Sequence, residues 1–235
     1  MARLAVALSG GVDSSVAAAR LVAAGHEVIG LTARLLRPQP AAESQADAPT
    51  EAERAAAAVC QRLGIEHHVV DLSEEFAARV LDYFTRAYAD GLTPNPCLPC
   101  NAFIKFGALL DEAGKLGCEA LATGHYALCQ RRGDRWGLRR GADEDKDQSY
   151  VLMFLTQDQL ARARFPLGRS RKAEVVAEAR RLGLPVMARA SQDLCFVPPG
   201  VDYAQWLARR VAVEPGPIID LSGRELGRHR GLIYY

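Results

Sequence analysis

The chain has no apolar run that approaches the length of a membrane span, which needs about 20 residues. Hydrophobic residues make up 49% of its 235 positions and charged residues 24%, as is ordinary for a globular protein. Arg3 leads directly into an apolar strand, so we expect no signal peptide and no membrane association, and we predict a cytoplasmic protein. In that compartment the six cysteines are expected to be catalytic, metal-binding or buried rather than disulfide-bonded.

The chain also has almost no net charge, but its charges are unevenly distributed. The formal net charge is +1. Residues 1–120 hold 10 Lys and Arg against 15 Asp and Glu, whereas residues 121–235 hold 19 against 13. The basic excess in the second half suggests that this half faces a polyanion, and a merely solvated surface is the alternative.

The first informative segment is a short apolar strand that ends in a loop of small residues and continues into a helix. Gly10 and Gly11 allow backbone angles that other residues avoid, and they let a ligand approach the main chain. The N–H groups of the loop and of the helix N-terminus then converge, which makes an anion site. The loop lacks the lysine of a Gly-Lys-Ser/Thr phosphate loop. Its Asp13 carboxylate predicts a Mg²⁺ ion between it and phosphate groups.

Strand and helix patterns alternate up to about residue 122 and predict an α/β fold with a doubly wound parallel sheet. We divide the chain into an α/β domain at 1–145, a mostly helical region at 146–212 and a short β tail at 213–235. Residues 37–50 are predicted to be a loop and residues 127–140 a hairpin. The apolar ending at 232–235 resembles a strand, which indicates a chain cut within a following domain or a strand that pairs elsewhere.

Cys97 and Cys100 form a Cys-x-x-Cys pair just before a helix predicted to begin at Asn101. The helix N-terminus and Lys105 are expected to lower the pKa of a nearby thiol. Four interpretations compete: half of a zinc site, a thioredoxin-like dithiol, packing, or a nucleophilic or cluster-binding set completed by the distant Cys195. No second Cys-x-x-Cys follows. The other three cysteines are interpreted as packing residues: Cys60, Cys118 and Cys129.

Five segments occur in an order that resembles the bacterial tRNA-specific 2-thiouridylases, and they cover residues 9–15, 93–107, 122–127, 146–152 and 191–197. The resemblance spans residues 3–200 and continues weakly to the end of the chain. The loop at 9–15 resembles the pyrophosphate loop of ATP pyrophosphatases, which cleave ATP between its α- and β-phosphates. The resemblance therefore implies an ATP-pyrophosphatase type of fold. It also implies an enzyme that makes 2-thiouridine at the wobble position of tRNA anticodons.

The resemblance also implies roles for residues at matching positions. It places ATP on Ser9, Gly10, Gly11, Val12, Asp13, Ser14 and Ser15, with Ala33 and Gly124 beside the adenosine. It places the target base and the tRNA against Asn95, Pro96, Cys97, Lys146, Asp147 and Gln148. Cys100 matches the family nucleophile, and Cys195 matches the cysteine that receives sulfur as a persulfide. With the Asp13 carboxylate, these two thiols form the implied catalytic set.

One residue departs from the family pattern, which reads Asn-Pro-Asp-x-x-Cys with the Asp as a proposed general base. Here that position is Cys97. The thiols Cys97, Cys100 and Cys195 then resemble the three cysteines of 4Fe-4S-dependent tRNA thiolation enzymes, in which one iron stays open to bind sulfide. Sulfur could therefore be carried on a cluster instead of a Cys195 persulfide.

The sequence thus predicts an ATP- and Mg²⁺-dependent tRNA sulfurtransferase that takes sulfur from a cysteine desulfurase relay or from sulfide. Two alternatives stay open. One is an adenylating enzyme of the same fold that thiolates or desulfurises a small molecule or another nucleoside. The other is a nucleotide-binding module that only docks tRNA.

Overall fold

The computed structural model describes residues 1–37, 48–187, 194–198 and 200–235. Most of the predicted loop at 37–50 and the start of the segment at 191–197 lie outside the described residues. The chain forms two compact units. The first unit comprises residues 1–76 and 97–190, and the second comprises residues 77–96 and 191–235.

The first unit is built on a five-stranded sheet in the order β3-β2-β1-β4-β7, with every neighbouring pair parallel. Leu4, Ala5 and Val6 in the central strand are buried, as expected of a strand covered on both faces. The parallel sheet predicted from the alternating pattern is confirmed. The strands are β1 (Arg3–Ala7), β2 (Glu27–Arg34), β3 (Glu66–Asp71), β4 (Ala120–Ala122) and β7 (Ala163–Arg164).

Helices flank this sheet, and β5 (Ala127–Arg132) and β6 (Arg135–Arg140) form the predicted hairpin beside it. Thr50 and Glu53 make a reciprocal capping box that begins the second helix. No helix of the described residues is long and apolar enough to cross a bilayer. The helices of this unit are α1 (Val12–Ala23), α2 (Glu51–Leu63), α3 (Ser73–Phe76), α5 (Cys97–Pro99), α6 (Leu110–Lys115), α7 (Gln157–Arg162) and α8 (Lys172–Arg181).

The helix that carries the Cys-x-x-Cys pair differs from the prediction. It begins at Cys97 rather than at Asn101. Pro99 is compatible with this earlier start, because the N–H group that proline lacks is not needed in a first helical turn. From Cys100 to Leu109 the backbone is a π-helix, and Gly107 leaves helical geometry at φ −103° and ψ −105° before α6 begins. Both thiols therefore lie in the first turn of an irregular helix.

The second unit has a small aromatic core. Phe84 lies edge-on to Phe196 with ring centroids 5.2 Å apart, and Trp206 lies 5.2 Å from Phe196. The predicted strand at the chain end is wrong: Leu232–Tyr234 is a 3-10 turn in which Ile233 is buried. The unit contains a π-turn (Ala77–Leu81), α4 (Asp82–Ala89), α9 (Tyr203–Ala208) and the antiparallel pair β8 (Gly216–Ile219) and β9 (Glu225–His229).

Candidate nucleotide and sulfur-transfer site

The loop between β1 and α1 is held by its own hydroxyl groups. Ser15 Oγ donates to the Gly11 carbonyl at 2.8 Å, and Ser14 Oγ lies 3.3 Å from Ser9 Oγ. Gly10 has φ +73°, a conformation that favours glycine. The N-cap residue Gly11 provides no side-chain hydrogen bond to the first turn of α1. The helix N-terminus therefore lacks a side-chain cap, which suits the binding of an anion by its first N–H groups.

Gly124 packs directly on this loop, at the carboxyl end of β4. A Cβ atom there would lie 2.7 Å from the Asp13 carbonyl carbon and 2.7 Å from the Ser14 nitrogen. Only glycine fits so close an approach. Ala33 lies near the carboxyl end of β2, the strand beside β1. The structure thus brings Gly124 to the loop and places Ala33 at the same edge of the sheet.

A lysine that sequence reasoning missed lies against Asp13. Lys172 Nζ is 2.7 Å from both carboxylate oxygens, and the Tyr126 hydroxyl donates to Asp13 Oδ1 at 2.8 Å. The Lys172 and Asp13 side chains are 31% and 30% exposed, so solvent reaches the pair. The sequence separation of 159 residues left no local signal for this contact.

The position of Lys172 is fixed by the packing of α8 on α1. Val16 and Ala17 of α1 share a buried cluster with Val175 and Ala179 of α8. A second ion pair joins the same two helices, because Arg20 Nη2 lies 2.7 Å from Glu178 Oε2. The buried cluster and the Arg20–Glu178 ion pair hold α8 on α1, and this packing places Lys172 beside the loop.

Tyr126 stays a neutral donor in this arrangement. Burial, and then its hydrogen bond to the Asp13 carboxylate, raise the pKa of the Tyr126 phenol far above its usual range. Its backbone carbonyl accepts from Gln148 N at 2.9 Å, and its backbone N–H donates to Gln148 Oε1 at 3.1 Å. The predicted tRNA-contacting segment is therefore tied to the residue that holds Asp13.

Two of the three residues in that segment use their side chains within the chain. Asp147 Oδ1 accepts from Gly141 N at 2.9 Å, and Oδ2 accepts from the Ser149 hydroxyl at 2.8 Å. Partial burial opposes ionisation of Asp147, but these hydrogen bonds outweigh it and hold the pKa of the carboxyl below its usual value. The Lys146 side chain is exposed.

The cysteines differ in burial, and Cys129, which was predicted to be a packing residue, is only half-buried. Cys60 and Cys118 are buried, as predicted for packing residues, and burial raises the pKa of the Cys60 thiol to about 11. Cys97 is exposed and Cys100 is 8% exposed, both in the first unit. Cys195 is exposed and belongs to the second unit, as do Asn95 and Pro96.

The described residues contain no group of three or more His, Cys, Asp or Glu arranged to hold a metal ion. The three cysteines of the predicted cluster all belong to that described part. The Asp13 carboxylate fits a cation, because an ammonium group already lies 2.7 Å from both of its oxygens.

The chain is similar to known proteins in sequence and in fold. Residues 2–199 match the family model described as the tRNA methyl transferase HUP domain. The tRNA-specific 2-thiouridylase of Chloroflexus aurantiacus is 51% identical over 100% of this chain and 67% of its own length. That of Pelotomaculum thermopropionicum is 44% identical over 99% of this chain and 66% of its own length. The chain thus spans about two thirds of these relatives.

The solved structure of NMN synthetase from Francisella tularensis has a similar fold, with a TM-score of 0.51 at 18% identity over 81% of this chain and 66% of that one. The sheet order, the glycine loop and the open helix N-terminus define an α/β nucleotide-binding protein with a HUP domain. Within that class the chain belongs to the family of tRNA-specific 2-thiouridylases.

Proposed function

We propose that this protein is an ATP-dependent tRNA sulfurtransferase that replaces the C2 oxygen of the wobble uridine with sulfur. The observation that carries the proposal is the loop at the edge of the sheet. It joins an uncapped helix N-terminus to Asp13, inside a chain whose relatives are tRNA-specific 2-thiouridylases. The C2 oxygen is a poor leaving group, so it needs activation before sulfur can replace it.

Activation takes place at the loop. The C2 oxygen attacks the α-phosphorus of ATP, the bond between the α- and β-phosphates breaks, and pyrophosphate leaves. The residues at 9–15 hold the phosphates through backbone N–H groups, and Asp13 would hold Mg²⁺, which neutralises phosphate charge when bound. Gly124 has no side chain, so it can pack directly against the backbone of Asp13.

Sulfur transfer then uses two thiols. A persulfide on a donor protein transfers its outer sulfur to the Cys195 thiolate, which leaves the donor as a thiol. The exposure of Cys195 suits a residue that is loaded from outside. The terminal sulfur of the Cys195 persulfide attacks C2 and AMP departs. The Cys100 thiol then attacks the Cys195 sulfur, which releases 2-thiouridine and leaves a Cys100–Cys195 disulfide. A thiol reductant returns both residues to thiols.

The three-cysteine set offers a second carrier, a 4Fe-4S cluster on Cys97, Cys100 and Cys195. Its support is the cysteine at position 97, where the family pattern has Asp. Anaerobic purification followed by an iron count and a visible spectrum distinguishes the two carriers. The persulfide route predicts a colourless, iron-free, active protein.

The test is reconstitution with unmodified tRNA, Mg²⁺-ATP and a persulfide donor. We expect pyrophosphate, AMP and 2-thiouridine in equal amounts, each requiring tRNA. Cys100→Ser and Cys195→Ser should abolish 2-thiouridine, whereas Cys129→Ser, a half-buried thiol that donates to the Leu160 carbonyl, should retain it. Thiolation that survives both substitutions would contradict the site. Pyrophosphate release on a small thio-substrate without tRNA would support the small-molecule alternative.

A further inference from the structure

The contact between Lys172 and Asp13 places a positive charge at the nucleotide loop. Asp13 is the only charged residue of the segment at 9–15, and its charge is negative. A loop that receives a triphosphate thus brings no cation of its own. Lys172 supplies one from 159 residues away, with its ammonium on the carboxylate that would otherwise repel phosphate.

From this geometry we infer that Lys172 is a phosphate-binding residue of the adenylation site, held on Asp13 until nucleotide arrives. The inference rests on the proposed function for the identity of the substrate. Asp13 would hold a metal ion when nucleotide is bound. The Lys172 ammonium, released from that carboxylate, binds the β- and γ-phosphate oxygens that become pyrophosphate. The four-carbon stem of lysine allows this movement without movement of α8.

Tyr126 makes the exchange possible. Its hydroxyl keeps Asp13 Oδ1 in place at 2.8 Å when the ammonium leaves. The Lys172 Nζ also lies 5.9 Å from the centre of the Tyr126 ring, within the range of a cation–π contact. The carboxylate therefore keeps its direction while the lysine moves along one face of the tyrosine.

A purely structural ion pair is the competing explanation, and the molecule contains a matched control for it. Arg20 and Glu178 join the same two helices at the same distance of 2.7 Å. Arg20 also donates to Ser170 Oγ at 2.7 Å, so it is committed to holding α8 in place. If Lys172 only clamps the helices, removing either cation should have the same consequences.

The experiment measures binding of inorganic pyrophosphate by calorimetry, with and without Mg²⁺ and without tRNA. Lys172→Met should weaken pyrophosphate binding roughly 10- to 100-fold, as expected for a lost charge-assisted contact. Lys172→Arg should restore much of it. Arg20→Met should lower the melting temperature but leave pyrophosphate affinity within about twofold of the wild type.

Asp13→Asn gives the sharpest outcome. It releases Lys172 and removes a repulsive charge, so magnesium-free pyrophosphate binding should strengthen, and this gain should vanish in the Asp13→Asn, Lys172→Met double variant. Wild-type affinity in a folded Lys172→Met protein, or an equal loss in Arg20→Met, would overturn the inference. Circular dichroism confirms folding of each variant. If tRNA thiolation fails while pyrophosphate binding depends on Lys172, the proposed function falls and this inference stands.

Discussion

The nucleotide loop and the helix that carries Cys97 and Cys100, here called the thiol helix, are two candidate sites that are built in different ways. The loop is one continuous stretch, residues 9–15, whose hydroxyls hold its own backbone. The thiol helix is irregular, with a π-helical segment from Cys100 to Leu109 and a break at Gly107. The difference is that the hydroxyl–backbone hydrogen bonds of the loop come from neighbours in sequence, whereas those that support the helix come from side chains some 50 residues away.

Asn101 illustrates how packing supports the thiol helix. Its side chain is 1% exposed, and its Nδ2 donates to the Val151 carbonyl at 3.1 Å. Gln159 Nε2 donates to the Ala102 carbonyl at 2.8 Å, where the wider helix leaves a backbone acceptor available. Residues some 50 positions away therefore hold the turn that follows Cys100.

Among substitutions that test how the loop is held, the largest effect is expected at Gly124. Gly124→Ala places a Cβ 2.7 Å from the loop backbone, so the loop must shift. We expect the dissociation constant for ATP to rise about 100-fold and the free energy of unfolding to fall by about 1–3 kcal/mol. Calorimetry and chemical denaturation measure both quantities.

Gly137→Ala serves as the control, because the nearest atom to its added Cβ is the Gln130 carbonyl oxygen at 3.9 Å. It should bind ATP as the wild type does. Unchanged ATP binding in Gly124→Ala would show that the loop is not held by contact with β4.

A stability effect of pH is expected at the start of α2. Glu53 is 3% exposed and accepts from Arg34 Nε at 2.8 Å. Hydrogen bonds from Arg34 lead the effects that lower the pKa of Glu53, and they outweigh burial. Because the pKa is lower in the folded state, this stabilisation is present above the ordinary value of 4.5 and is lost as the pH falls through the folded pKa.

Glu53→Gln should therefore lower the free energy of unfolding by roughly 3 kcal/mol at neutral pH. The difference from the wild type should shrink as the pH falls below 4.5 and through the folded pKa, which urea denaturation at several pH values would show. A pH-independent difference would mean that lost packing, rather than charge, explains the effect. Glu74→Gln, an exposed partner of Arg37, is the matched surface control.

A smaller effect is expected at Lys146, the exposed member of the predicted tRNA segment. Lys146→Ala should weaken tRNA binding a few-fold and reduce the slope of log K against log salt by about 1, as one phosphate contact would. Filter binding across a salt series measures this. An unchanged salt slope would remove Lys146 from the tRNA surface.

The smallest effect is expected at Cys97. Cys97→Asp restores the residue of the family pattern, and the persulfide route predicts thiolation within about threefold of the wild type. A cluster carried by three cysteines predicts complete loss of thiolation and of any bound iron. Quantifying 2-thiouridine by mass spectrometry separates the two.

Sequence reasoning reached the sheet, the hairpin and the loop because each depends on local patterns. The strand of Leu4 to Val6 is apolar throughout, and Thr50 with Glu53 marks a helix start by spacing alone. It missed Lys172 because nothing near that lysine indicates α1 as its neighbour. It predicted a regular helix after Cys100 because helix propensity carries no information about a π-segment held by Asn101 and Gln159.

The central claim is that ATP activates the C2 oxygen of a tRNA uridine. It is tested most directly with tRNA that carries oxygen-18 at C2 of the wobble uridine. We predict that each 2-thiouridine formed is matched by one AMP that is heavier by the label, since that oxygen leaves with the α-phosphate. AMP without the label, alongside formation of 2-thiouridine, would contradict adenylation of the base.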